Sequence, residues 1–76
     1  MTDRSTAGHA AQARRAIDEL ATSPDPAAFS ELLALSAHVG QALGVSARHL
    51  AANGSWASVA DLAGTSRQAA WQRWSQ

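Results

Sequence analysis

The chain contains no cysteine, no lysine and no tyrosine, and isoleucine occurs once. Without thiols there is neither a disulfide framework nor a thiolate metal site. Three histidines remain, His9, His38 and His49. None stands at a ligand spacing; His38 and His49, eleven apart on one helix, would share a face but lie about 16 Å from each other. No metal is expected. The absence of β-branched runs argues against a sheet. No apolar stretch approaches the roughly 20 residues needed to span a bilayer. The opening MTDRSTAGHA lacks the charged-then-apolar layout of a signal peptide. A soluble, cytoplasmic protein without membrane contact is the expectation. No serine sits on a glycine-rich elbow, no carboxylate pair stands near a histidine at a useful spacing, and no phosphate-cradling loop occurs. Neither an enzyme nor a cofactor is expected.

What is present is alanine, 19 of 76 residues. Such a chain has many helix-favouring positions and few bulky core residues. A domain this short buries only about 60% of the surface of its unfolded chain. Pairing with a second copy is the usual remaining source of stability. All six basic residues are arginine, which with the alanine excess has the codon signature of a GC-rich, actinobacterial genome. The net charge is zero but unevenly spread: residues 1–45 sum to −2 and residues 46–76 to +2. Charges this few split unevenly by chance about as often as not; the sharper reading is an acidic half for association and a basic half for an anionic partner.

The periodicity predicts an all-α fold of four to five short helices. Residues 1–5 read as a disordered tail, 6–45 as a helical association segment and 46–76 as a helix-turn-helix unit. In the first helix Ala10, Ala13, Ile17, Leu20 and Ala21 recur at helical spacing. Ser23-Pro24-Asp25-Pro26 ends it. Asp25 then serves as an N-cap with Pro26 at the first helical position. The next helix carries the strongest apolar stripe: Phe29, Leu32, Leu33, Ser36, Val39, Gly40 and Leu43, with Leu35 and Ala42 on a flanking face. Gly44 is expected to stop it and Ser46 to cap a further short helix through His49 and Leu50. A continuous helix from Asp25 to Ala52 is the alternative, since glycine weakens a helix by about 1 kcal/mol without forbidding it. Asn53-Gly54 marks a turn.

Residues 55–76 read SWASVADLAGTSRQAAWQRWSQ. Ser55 caps a helix from Trp56 to about Ala63. Gly64 makes the turn, and Thr65 or Ser66 caps a last helix, Ser66–Ser75. Ala60 is small where two helices would cross; Val59, Ala63, Ala70 and Trp74 supply the contact between them, with Trp56 packed beneath. The string W-x-x-V-A-D-x-A-G-x-S-R-Q-A-A-W-Q-R-W resembles the helix-turn-helix of small actinobacterial DNA-binding proteins. In outline it is similar to the trihelical domains of sigma-factor region 4. The resemblance covers about the last third of the chain. It implies that the helix after the turn enters the DNA major groove, opened by Ser66, Arg67 and Gln68 and followed by Gln72 and Arg73. Arg73 stands where such proteins often carry an apolar residue.

Helical geometry places the same residues independently. With Ala70 facing inward at 0°, Gln68 and Gln72 lie near 160° and 200°, Arg67 and Arg73 near ±60°, and Trp71 near 100° at about 100° per residue. Gln pairs bidentately with adenine and Arg with guanine. The expected DNA-binding residues are therefore Thr65, Ser66, Arg67, Gln68, Trp71, Gln72 and Arg73, with phosphate contacts from Ser55 and Arg48. A second, weaker helix-turn-helix pattern, HVGQALGVSARHL at 38–50, would instead use Arg48 and His49 as readers. Ile17, Leu20, Phe29, Leu32, Leu35, Val39 and Leu43 would form the homodimer core. Such a protein would be a sequence-specific transcriptional regulator of double-stranded DNA, with no wing expected after Gln76. The alternative is a protein-interaction module, an antitoxin, anti-activator or sigma-factor adaptor, whose partner is a protein rather than DNA. Exposed Trp71 and the acidic N-terminal half favour that reading.

Overall fold

A computed structural model describes residues 2–76, with side chains from Ser5 onward. It is all-α: α1 (Thr2–Ala21), α2 (Pro26–Asn53), α3 (Trp56–Ala63) and α4 (Arg67–Trp74), with no strand among the described residues. No helix is long and apolar enough to cross a membrane. Compact contacts divide the chain between Ser36 and Ala37 into two units.

In the first unit, α1 begins at Thr2, ahead of the start near Thr6 expected from the apolar stripe; Met1 lies outside the described residues. Polar residues such as Thr2 and Arg4 carry no stripe, yet they can extend a helix already nucleated by the turns that follow them. Of that stripe Ala10, Ile17 and Leu20 are half-buried, while Ala13 and Ala21 are exposed. The helix ends where Thr22 turns its hydroxyl back to the carbonyls of Asp18 (3.3 Å) and Glu19 (3.2 Å). Asp25 then caps α2, its Oδ1 accepting from the Ala27 N–H at 2.9 Å, and Pro26 opens the helix at the one position where its missing N–H costs nothing.

α2 runs unbroken for 28 residues, so neither the stop expected at Gly44 nor the cap at Ser46 forms. The second helix-turn-helix pattern at 38–50 is lost with them, because its turn is helix and Arg48 and His49 follow in the same rod. Glycine is tolerated there for a specific reason. Gly44 is buried, and a Cβ on it would sit 3.1 Å from Nη1 of Arg48. The missing side chain is the space in which the guanidinium lies.

The second unit is a three-helix assembly of the C-terminal part of α2 with α3 and α4. Its core is Ala47, Val59, Ala60 and Ala70, flanked by half-buried Ala51, Trp56 and Trp74. Ala60 and Ala70 let α3 and α4 approach closely, Ala47 of α2 joins the same cluster, and the two indoles close the periphery with large apolar area. Ala63, expected in that contact, is exposed. Ser55 caps α3 by accepting from the Ser58 N–H at 3.2 Å. Ser66, not Thr65, caps α4 by accepting from the Ala69 N–H at 3.1 Å.

Between them Gly64 adopts φ +69°, ψ 37°, and both its N–H and that of Thr65 point back to the Ala60 carbonyl. This left-handed residue sets the angle between α3 and α4, and a β-branched side chain there is strained. Gly64→Val is expected to lower stability by about 1–2 kcal/mol, with Gly64→Asn costing less, as read by urea denaturation.

Candidate functional site

The N-terminal half of α4 carries exposed polar and aromatic side chains. Arg67, Gln68 and Trp71 sit at i, i+1 and i+4, which places them on one side of the helix. Together with Trp56, the first residue of α3, they line an open cleft of about 390 Å³. Trp71 is 53% exposed. Trp56 is half-buried: it packs against the Ala47–Val59–Ala60–Ala70 cluster and also borders the cleft. Among the charged residues that line the cleft, Arg67 is the single cation and no carboxylate opposes it. The lining thus offers one cation, indole surface and a carboxamide with both donor and acceptor.

The other residues expected at the interface are placed as follows. Ser66 is exposed, and its hydroxyl oxygen is engaged as the α4 cap. Thr65 and Gln72 are exposed and do not line the cleft. Arg73 lies over the Trp74 ring, with its guanidinium carbon 4.9 Å from the ring centroid. A cation–π contact there is worth about 0.5–1 kcal/mol at an exposed site, and it explains how a charged residue occupies a position that flanks the buried face. Ser55 holds the start of α3, its oxygen accepting from Ser58.

Arg48 has a role the sequence did not disclose. Its Nη1 donates to the carbonyl of Trp74 at 3.0 Å and to that of Gln76 at 2.8 Å. These oxygens lie at the end of α4, where carbonyls have no intrahelical partner and the helix dipole is negative. The guanidinium therefore fastens the end of α4 to α2. The signal that could have found it is the pairing of Gly44 with Arg48 one turn on, a space and the group that fills it. Arg48→Met keeps the stem and removes the cation. It is expected to cost about 1 kcal/mol, or a drop of about 4–8 °C in Tm. Circular dichroism melting checks that loss, and amide exchange at the end of α4 should quicken with it.

The residues expected at a dimer core are only partly open in the single chain. Phe29 is 65% exposed, and Val39 and Leu43 are each about half exposed; Ile17, Leu20, Leu32 and Leu35 are half-buried. Leu33, on the same stripe as Phe29, is also exposed. Within the second unit a shallow apolar groove of about 190 Å³ is bordered by Leu43, Leu50, Val59, Leu62 and Trp74. Leu62, at its edge, is 77% exposed.

Compared with protein-family models, with curated proteins and with solved structures, the chain matches none.

Proposed function

We propose that the protein is a sequence-specific regulator that binds double-stranded DNA as a homodimer and reads the major groove with α4. The observation that carries this reading is the α3–Gly64–α4 turn, held by its own caps, with Arg67, Gln68 and Trp71 exposed on α4 beyond a core of small residues. A recognition helix needs that arrangement: a rigid mount on one side and hydrogen-bonding side chains on the other. The resemblance of residues 56–74 to the helix-turn-helix of small actinobacterial DNA-binding proteins and of sigma region 4 supports the same reading. Exposed Phe29 and Leu33 in the first unit, and exposed Val39 and Leu43 in the second, support a second copy as partner, because large apolar side chains clustered at helical spacing are seldom left to water. Two copies would set their recognition helices about 34 Å apart on a palindromic site. With zero net charge, non-specific attraction to DNA is weak and discrimination rests on base contacts.

The second reading is a module that binds a protein. Leu62 at the edge of the apolar groove favours it, since an aliphatic side chain so exposed suits a partner's apolar surface.

Selection from randomised duplexes at a stated salt concentration separates the two. An enriched palindrome is the expected result, and its half-site spacing measures the distance between recognition helices. Enrichment of no sequence, with only weak salt-sensitive retention, overturns the regulator reading in favour of the protein partner.

A further inference from the structure

The cleft between α3 and α4 offers more than a groove-reading helix needs. Base edges in a duplex are met by hydrogen-bonding side chains, whereas the flat faces of the bases are stacked on one another and out of reach. Yet Trp56 and Trp71 both border this cleft. Indole surface recognises flat aromatic faces, and every base has one. Arg67 adds the one positive charge on the lining, without a carboxylate to neutralise it, and Gln68 adds a donor and an acceptor. The volume, about 390 Å³, lies at the lower end of the range for small-ligand sites, roughly 300–1,000 Å³. Aromatic surface, one cation and one carboxamide in a cleft of that size match the three parts of a nucleotide: base face, phosphate and base edge.

We infer that the cleft lined by Trp56, Arg67, Gln68 and Trp71 seats a single unpaired nucleotide. The base packs on the indoles, its edge meets Gln68, and the phosphate pairs with Arg67. Trp56 thereby acquires a binding role besides its packing role. The inference shares Arg67, Gln68 and Trp71 with the proposed duplex reading but does not require it. An unpaired strand and a duplex would compete for the same face of α4. The same chemistry has two sources, a free mononucleotide or one unit of a single strand.

The test is quenching of intrinsic tryptophan fluorescence in the full chain at low salt, titrated separately with thymidine monophosphate, with an eight-nucleotide oligothymidylate and with a random-sequence 20-base-pair duplex. Saturable quenching by the oligonucleotide is expected, weakened about ten-fold or more in Trp71→Ala, on the scale of one lost base–aromatic stack, and largely retained in Trp71→Phe. Trp71 is exposed, so both variants should keep the wild-type circular dichroism spectrum and Tm. Equal quenching by the monophosphate assigns the site to a free nucleotide; quenching by the oligonucleotide alone assigns it to a strand. No saturable quenching by either, or an oligonucleotide affinity unchanged in Trp71→Ala, overturns the inference. Fluorescence anisotropy with a selected duplex reports the proposed regulator function separately. A duplex bound without quenching by either unpaired probe leaves that function standing and removes the nucleotide site.

Discussion

Ala70→Leu is expected to destabilise the second unit by about 1–3 kcal/mol. Ala70 has no exposed surface, and it lies in a cluster whose other members are Ala47, Val59 and Ala60. No large side chain is fully buried in that cluster. Its stability comes from close approach of backbones, with Trp56 and Trp74 closing the sides. A leucine at 70 has no space to enter, so α4 must move away from α3 and α2. That displacement pulls the Trp74 and Gln76 carbonyls from Arg48, so the packing and the tether are lost together. A chain of this size has a thin margin, and the loss is a large share of it. Thermal denaturation followed by circular dichroism should show a lower and broader transition. Near-UV signals from Trp56 and Trp74 should change even below it. Ala70→Gly tests the opposite direction: about 1 kcal/mol from helix propensity alone, without displacement of α4. If Ala70→Leu melts like the wild type, the three-helix core is not close-packed at that position.

On the proposed duplex-binding reading, Arg67→Ala is expected to weaken binding to a selected duplex by about 1–3 kcal/mol, roughly 5- to 150-fold, and to relax base preference at one position of the site. Arg67 is exposed on the first turn of α4 and has no ion-pair partner among the described residues, so Tm should not change. The two measurements separate recognition from folding. Arg73→Ala gives the contrast. Its guanidinium already covers Trp74, so the loss there should fall partly on stability and less on discrimination between bases. Fluorescence anisotropy at fixed ionic strength, on the selected duplex and on one with a changed half-site, measures both. Equal affinity of wild type and Arg67→Ala on the selected site would remove Arg67 from the readers. A uniform loss on all duplexes would make it a phosphate contact.

Much of the fold can be read along the chain because its signals act within a few residues. Ser23-Pro24-Asp25-Pro26 ends one helix and begins another, since proline excludes the residue before it from helical geometry and an aspartate oxygen reaches the next free N–H groups. Ser55 and Ser66 each satisfy an N–H three residues on, and Gly64 adopts the one conformation its lack of a Cβ makes inexpensive. These local rules set the spacing of α3, the Gly64 turn and α4, and the all-α class. They also put Arg67, Gln68 and Trp71 on one side of α4, because helical periodicity requires no neighbour.

The same local rules put a break at Gly44 first and left a continuous helix as the alternative, and it is the alternative that the structure takes. Propensity counts the glycine's conformational freedom, but it cannot see Arg48 crossing to the carbonyls of Trp74 and Gln76. Those contacts lie 26 and 28 residues away in sequence and exist only once α4 has folded against α2. Tertiary packing likewise decided that Ala63 faces water while Ala70 does not, and that Arg73 lies on Trp74. Trp56 is the sharpest case. Its spacing marks it as apolar contact, and it does pack on the core. Its other border is the cleft beside Trp71, and only the angle set at Gly64 brings the two indoles to one opening. Periodicity determines which way a side chain points from its own helix. What it meets there depends on where the other helices lie.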